Sequence, residues 1–165
     1  MHEKFITIDN NQIVIRKADV NDTAQLVELR IIQQKDDWKF EYVESDLFSK
    51  SILYLEKFLV DDENGLMLVA ETHNQIIATC GLQIMNLMPQ CNDYGRYGYL
   101  FNVFTINSFR NRGIQYELLS EIIDYSKECS ITEISLETDN TAAIHLYKKV
   151  GFKENNLFMT KTIEL

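Results

Sequence analysis

The sequence predicts a mixed α/β fold whose central sheet has an antiparallel part. Two observations carry this prediction. Segments rich in β-branched and aromatic residues alternate along the chain with segments whose apolar residues recur at helical spacing. The segments follow the order β-α-α-β-β-β-α-β-α-β, and the strands 66–72 and 76–85, joined by a polar turn, are expected to form a hairpin. The expected strands are 12–16, 66–72, 76–85, 97–106, 133–138 and 159–164.

Four helices are expected between these strands. Their predicted ranges are 19–34, 46–60, 112–128 and 141–150. The first should bury Val20, Ala24, Val27 and Ile31, and the third should bury Ile114, Leu118, Leu119, Ile122 and Ile123. The segment 86–96 contains proline, glycine, asparagine and aspartate, which is typical of a loop.

Composition limits the class of protein. The chain has 165 residues, 45% of them hydrophobic, and one proline, so we expect a single domain over 1–165. Sixteen basic against twenty-five acidic residues give a net charge of -9, which argues against nucleic acid as a partner. An acidic surface suits a cationic amine, but it also serves solubility alone.

The spacing of cysteines and histidines and the length of the apolar segments argue against a disulfide-bonded, metal-binding or membrane-spanning protein. Cys80, Cys91 and Cys129 are odd in number and far apart, so we expect free thiols and a cytoplasmic protein. The three histidines have no metal-ligand spacing, and we predict no metal site. No apolar segment approaches the ~20 residues of a membrane span, so we expect no membrane partner.

The stretch 103–115 is the most informative part of the chain. A predicted strand runs into a turn that holds Arg110, Arg112 and Gly113, and an amphipathic helix follows directly. The free N–H groups at a helix start favour a phosphate, and arginines add charge-assisted hydrogen bonds. Such a turn taken alone is more often a solvated surface. The stretch matches neither G-x-G-x-x-G nor G-x-x-x-x-G-K-[ST], so dinucleotide oxidoreduction and nucleotide hydrolysis lose support.

Two motifs together resemble the GNAT superfamily of acetyl-CoA-dependent N-acetyltransferases. The run Arg110-Asn111-Arg112-Gly113-Ile114 is similar to that family's pyrophosphate loop, [RQ]-x-x-G-x-[GA]. The run 140–152, NTAAIHLYKKVGF, is similar to its N-x-x-A-x-x-L-Y-x-x-x-G-F segment. The resemblance implies a GNAT fold, with a mixed central sheet of about six to seven strands flanked by about four helices. It also implies acetyl-CoA as co-substrate.

The resemblance assigns the co-substrate contacts. Main-chain groups of Val103 and Thr105, with Phe104 between them, would meet the pantetheine arm. The pyrophosphate would meet main-chain N–H groups of the turn, contributed by Arg110, Asn111, Arg112, Gly113, Ile114 and Gln115. Gln115 departs from the pattern, which has glycine or alanine there, so its side chain must point away from the phosphate.

The resemblance also implies a general acid. Tyr147 is similar to the tyrosine that protonates the CoA thiolate, and Asn140 to a residue near the cofactor's arm. Seven residues separate the two, nearly two helical turns, so they share one face. A helix cap at Asn140 and a core tyrosine would explain the same pattern without catalysis. His145 lies about 200° from Tyr147 around the helix and is not expected in the site.

A general base is harder to predict. The strand 97–105 contains no carboxylate, and Glu137, near the end of the next strand, is the best remaining acid. An outward strand position explains Glu137 equally, and water relaying the proton to solvent or to Glu71 is a further option.

Acceptor binding is expected at the segments least typical of the family. Trp38, Phe40 and Tyr42 alternate with charged residues, and 86–96 forms a long loop. The sequence leaves the acceptor open, and a homodimer stays an option. A non-catalytic CoA-sensing module is the main alternative function, while a cofactor-free interaction domain would require both motif matches to be accidental.

Overall fold

The computed structural model describes residues 2–36, 46–91, 95–155 and 161, and these form a six-stranded sheet with helices on both faces. The strands lie in chain order across the sheet. Every neighbouring pair is antiparallel except the last, β5 and β6, which is parallel. The predicted mixed α/β fold is confirmed. The strands are β1 Lys4–Ile8, β2 Asn11–Lys17, β3 Gly65–Thr72, β4 Gln75–Asn86, β5 Arg96–Thr105 and β6 Glu133–Ser135.

Four α-helices lie in the described part of the chain, as predicted. The first and third are each preceded by a single 3₁₀ turn, Val20–Asp22 and Asn107–Phe109. The helices are α1 Thr23–Asp36, α2 Leu47–Phe58, α3 Ile114–Glu128 and α4 Thr141–Lys149.

The sheet is buried on both faces because strand β3 is apolar from Leu66 to Ala70. Leu66 and Leu68 join a core with α3 and α4, while Met67 and Val69 join a core with α1 and α2. Successive strand residues point to opposite faces, so an unbroken apolar run supplies both cores. The two faces of the sheet therefore present different helices to anything bound at its edge.

The sequence prediction missed strand β1. It pairs with β2 through a two-residue turn in which Asp9 and Asn10 have positive φ angles of 48° and 65°. Asparagine and aspartate tolerate this conformation, and such turns match the twist of a hairpin. The alternation in Lys4–Ile8 followed by Asp-Asn was the signal that could have revealed it.

The predicted buried face of α1 is partly wrong. Val27 is buried, but Val20 is 46% exposed and Ala24 is also exposed. The 3₁₀ turn at Val20–Asp22 has fewer residues per turn than an α-helix, so it shifts the face that the first residues present. For α3, the prediction holds at Ile114, Leu118, Leu119 and Ile122, while Ile123 is only half-buried.

Strand β6 is shorter than predicted. It was expected over 133–138 but ends at Ser135, so Glu137 lies beyond the strand. The last predicted strand, 159–164, lies outside the described residues except for residue 161. Within the described residues, none of the helices has the length and apolar character needed to cross a bilayer.

A partly buried ion network ties β2, β3 and the start of α1 together. The Arg16 guanidinium donates to both Asp22 carboxylate oxygens at 2.7 and 2.8 Å and to Glu71 Oε2 at 2.6 Å. Burial alone would raise the pKa of Asp22, but hydrogen bonds from Arg16 and from the Asp19 backbone lower that pKa below its usual 3.8. The ionised carboxylate is therefore the form that the fold stabilises.

We expect Asp22→Asn to lower the free energy of unfolding by about 3 kcal/mol at neutral pH, because one partner of a buried charge pair is removed. Asp62→Asn, at an ion pair with Lys17 in which Asp62 is 73% exposed, should cost under about 1 kcal/mol. Since the folded pKa of Asp22 lies below 3.8, its contribution is present at neutral pH and is lost as the pH falls through that folded value. Urea unfolding at several pH values measures this, and equal losses for the two variants would contradict it.

Candidate active site

The sheet opens between β5 and β6. The parallel pairing matches Tyr97, Gly98 and Tyr99 with Glu133, Ile134 and Ser135, and it ends there. Beyond Tyr99, strand β5 continues to Thr105 with no strand paired to this edge among the described residues. The edge from 100 to 105 therefore borders a gap, and its main-chain groups need other partners.

A β-bulge distorts β5 at the middle of this gap. The register of β4 and β5 shifts between Thr79 and Gly81, and opposite this shift Asn102 has a positive φ of 50°. The Thr79 hydroxyl holds the bulge by donating to the Asn102 carbonyl oxygen at 2.6 Å. Bulges re-aim side chains and are frequent beside active sites. Sequence reasoning missed Asn102, although an asparagine inside an aromatic and β-branched run is a signal for a bulge.

The strand after the bulge presents Val103 and Thr105 to the gap. The Ile106 N–H donates to the Ile77 carbonyl oxygen on β4 at 3.0 Å. Along a strand, the N–H and C=O groups of successive residues point to opposite sides. Those of Phe104 therefore point toward β4, and those of Val103 and Thr105 point away from β4, into the gap. Their carbonyl oxygens accept from Gln33 Nε2 at 3.1 Å and from Arg110 Nε at 2.8 Å, respectively.

The Phe104 side chain is buried in the core rather than directed into the gap. It is 3% exposed and belongs to the core formed with α1 and α2. The Arg110 guanidinium lies 5.2 Å from the centre of its ring. The Phe104 side chain thus packs the core and fixes an arginine.

The N-terminus of α3 lies directly after this strand and the 3₁₀ turn. Gly113 is its N-cap with a φ of 82°, and no side chain caps the helix. Asn111 also has a positive φ, 62°. The first backbone bond of the helix runs from the Glu117 N–H to the Gly113 carbonyl at 3.2 Å, so the preceding N–H groups have no partner within the helix. This end carries the positive pole of the helix dipole and suits a phosphate.

Acidic residues hold the two arginines beside this helix end. Arg110 Nη2 lies 3.8 Å from Asp36 Oδ2 at the end of α1. Arg112 forms an ion pair with Asp9 in the β1–β2 turn and lies 5.3 Å from the Phe109 ring centre. The Arg110 N–H donates to the Asn107 carbonyl within the turn at 3.3 Å. Arg110 would therefore contact an anion through its guanidinium group and not through its main-chain N–H.

The Gln115 side chain is directed into the sheet. Its Nε2 donates to the carbonyl oxygens of Thr79 and Phe104 at 3.0 and 2.7 Å and contacts Thr105 Oγ1 at 3.0 Å. The amide bridges β4 and β5 beside the bulge, where the ladder is interrupted. The departure from glycine or alanine thus has a structural reason, and the Gln115 N–H stays on the helix end.

Tyr147 lies on the α3–α4 face of the sheet. It is 8% exposed, belongs to the same core as Cys80, and packs edge-on against Phe152 with ring centres 5.6 Å apart. Burial, with a smaller contribution from the Cys80 thiol, raises the pKa of Tyr147 well above 10. The hydroxyl therefore keeps its proton at neutral pH and can donate it.

Asn140 is the N-cap of α4. Its Oδ1 accepts from the Ala142 and Ala143 N–H groups at 3.0 and 3.2 Å, so the predicted cap is confirmed. His145 is exposed on the same helix, whereas Tyr147 is buried, in agreement with their expected separation around the helix.

The two carboxylates considered as bases have different surroundings. Glu137 is exposed, and its charge contributes, after burial, to raising the pKa of Tyr99 on β5. Glu137 follows the end of β6 by two residues, and β6 ends at Ser135, where the pairing with β5 stops, so Glu137 lies near the mouth of the gap. Glu71 accepts from Arg16 on the neighbouring strand and belongs to the ion network.

Two cavities lie on different parts of the fold. One of about 290 Å³ lies on the α1–α2 face and includes Phe101 and Asn102. The other, about 1010 Å³, is lined by β6, α4 and the segments around them, with Glu137 and Tyr147 among its residues and none of the described β5 residues. Trp38, Phe40 and Tyr42 lie outside the described residues, as do 92–94 of the expected loop, whose described part joins β4 to β5.

The chain belongs to the acetyltransferase (GNAT) family, whose model matches residues 28–152. A predicted acetyltransferase from Clostridium acetobutylicum, solved with acetyl-CoA, is 28% identical. That match covers 91% of this chain and 96% of the other, with a TM-score of 0.81. A GCN5-related N-acetyltransferase from Ralstonia eutropha shares the fold, with 20% identity, coverage of 92% and 98%, and a TM-score of 0.75.

A curated relative is an uncharacterised protein from Mycobacterium leprae. It is 27% identical over 158 residues, which cover 93% of this chain. The chain spans 38% of the length of that relative.

We expect Gln115→Ala to destabilise the fold by about 1–3 kcal/mol, because two buried carbonyl oxygens lose a donor. Alanine fits the family pattern and favours a helix, so any loss is due to the missing amide. Gln75→Ala, at an exposed position in β4, is the matched control and should change stability little. Urea unfolding midpoints measure both, and a Gln115→Ala protein as stable as the parent would refute the bridging role.

Proposed function

We propose that this chain is an N-acetyltransferase that transfers an acetyl group from acetyl-CoA to an amine. The observation that carries the proposal is the gap between β5 and β6, which leads directly to the uncapped N-terminus of α3. A gap bordered by main-chain groups suits an extended amide-containing arm, and the helix end suits its phosphates. Family membership and the acetyl-CoA complex of the Clostridium protein support the same co-substrate.

The residues present fit the parts of acetyl-CoA. Val103 and Thr105 would meet the pantetheine arm along the gap, and the N–H groups of 111–115 would hold the pyrophosphate. The guanidinium groups of Arg110 and Arg112 would add charge-assisted hydrogen bonds, since both lie at the same helix end. Asn140, at the start of α4, would lie near the pantetheine arm. The Gln115 side chain leaves this helix end clear because it is directed into the sheet.

The chain's own task is to orient the acceptor and to manage protons. Acetyl-CoA supplies the acetyl group already activated as a thioester. Tyr147 donates its hydroxyl proton to the departing sulfur, and burial, which raises the pKa of this hydroxyl, ensures that the proton is present at neutral pH. The amine must be neutral to attack, and its surplus proton leaves to water or to Glu137 near the mouth of the gap. The three free cysteines support a reducing compartment, and we place the reaction in the cytoplasm.

We expect Tyr147→Phe to lower kcat by about 10²–10⁴-fold, because the change removes the proton donor and little else. The dissociation constant for acetyl-CoA should change little. Thiol release from acetyl-CoA across a panel of amines identifies an acceptor, and kcat is then compared for both proteins.

The matched control is Tyr125→Phe, which removes the hydroxyl of a half-buried tyrosine on α3 and should leave kcat unchanged. An unaltered kcat in Tyr147→Phe would make Tyr147 a packing residue. Tight acetyl-CoA binding without turnover on any amine would instead favour a CoA-sensing module.

A further inference from the structure

The last turn of α4 contacts the first turn of α3 through the side chains of Lys149 and Tyr116. The Lys149 ammonium nitrogen lies 4.9 Å from the centre of the Tyr116 ring, a distance at which the negative face of an aromatic ring attracts a cation. Tyr116 is the third residue of α3 and is 37% exposed. Lys149 is the last residue of α4 and is exposed as well. A cation carried by α4 is therefore held on the surface beside the start of α3.

Tyr116 belongs to the helix turn that ends the proposed pyrophosphate site. The first backbone bond of α3 is donated by the Glu117 N–H, so the Tyr116 N–H is one of the groups without a partner within the helix. The N–H groups of 111–115, which would hold the pyrophosphate, come directly before it. The pantetheine arm leaves the pyrophosphate along β5, so the nucleotide half of the co-substrate must leave it over the other surfaces around the helix end. The side chains of Tyr116 and Lys149 form one of these surfaces.

The three cations around this helix end differ in their partners. Arg110 lies beside the carboxylate of Asp36, and Arg112 forms an ion pair with Asp9. Within the part of the chain that the structure describes, Lys149 forms no ion pair, and its contact is with an aromatic ring. The charge of Lys149 is therefore the one of the three that no carboxylate opposes.

A lysine in the last turn of a helix has an ordinary explanation, because it complements the negative pole of the helix dipole. Lys148 fits this explanation, since its Nζ lies 2.7 Å from Glu154 Oε1 just beyond the same helix. Lys149 is instead directed across to α3. The dipole accounts for a cation at this position but not for its direction.

We propose that Lys149 binds the 3′-phosphate on the ribose of acetyl-CoA, and that Tyr116 is a positioning residue whose ring holds the lysine for this contact. The inference rests on the proposed function, because it takes the pyrophosphate to lie at the start of α3. A phosphate monoester carries about −1.5 to −2 charges near neutral pH and accepts charge-assisted hydrogen bonds from an ammonium group. The contact makes the chain select CoA over its 3′-dephospho form.

The acidic composition of the chain makes a local cation important for this selection. The net charge of -9 opposes the approach of a polyanion, but exposed charges are screened beyond about 8 Å at physiological ionic strength. A lysine in direct contact with a phosphate acts well within that distance. The preference for the 3′-phosphate is therefore a short-range effect, and it should decline as salt is added.

Titration calorimetry with CoA and with 3′-dephospho-CoA tests the contact of Lys149. We expect the parent protein to bind CoA at least about tenfold more tightly than the dephospho form, since hydrogen bonds to charged groups are the stronger ones. Lys149→Met keeps the apolar stem and should raise the dissociation constant for CoA about tenfold, while that for dephospho-CoA stays within about twofold. Lys148→Met, at the neighbouring lysine, is the matched control and should keep the full preference for CoA.

Equal binding of the two forms by the parent protein would overturn the inference, as would a full preference in Lys149→Met or an equal loss in Lys148→Met. The proposed function survives each of these results, because CoA still binds. Binding of neither form by the parent protein would contradict the proposed function and the inference together.

Two variants of Tyr116 test the positioning role. Tyr116→Phe keeps the ring and should keep the preference for CoA over dephospho-CoA, whereas Tyr116→Leu should lower this preference about threefold, because a cation–π contact at an exposed site is weak. The preference is the readout, since a merely structural role of Tyr116 would weaken both forms alike. An unchanged preference in Tyr116→Leu, or a loss in Tyr116→Phe, would contradict the role of the ring.

Discussion

The separation of β5 from β6 after Tyr99 is the constraint on which the candidate site depends. A strand edge in the interior of a fold must find partners for its main-chain groups. Here Gln33 and Arg110 donate to the carbonyl oxygens of Val103 and Thr105. The same edge leads into the start of α3, so the main-chain groups proposed for the pantetheine arm and for the pyrophosphate adjoin each other.

The proposed proton donor and the smaller cavity lie on opposite faces of the sheet. Tyr147 belongs to the core on the α3–α4 face, whereas Asn102, Arg30 and Lys50 line a cavity on the α1–α2 face. A bulge at Asn102, held by Thr79, lies between them. The apolar β3 makes this division stable, because its alternating residues anchor a separate core on each face.

Periodicity and motifs predicted the elements, while tertiary contacts decided the details of the site. The helix α3 and the Asn140 cap follow from local pattern, which is why the sequence predicted them. The early end of β6 and the bulge at Asn102 do not, because they depend on strands distant in sequence. The role of Gln115 was equally inaccessible, since its amide bridges two strands beside an interruption that only the folded sheet contains.

A crystal structure of the protein with CoA tests the central claim most directly. We expect the pantetheine arm along 100–105 of β5 and the pyrophosphate oxygens within about 3.2 Å of N–H groups from 111–115, the range of ordinary hydrogen bonds. The Tyr147 hydroxyl should face the sulfur. CoA bound instead in the larger cavity along β6 and α4, with the start of α3 empty, would contradict the account.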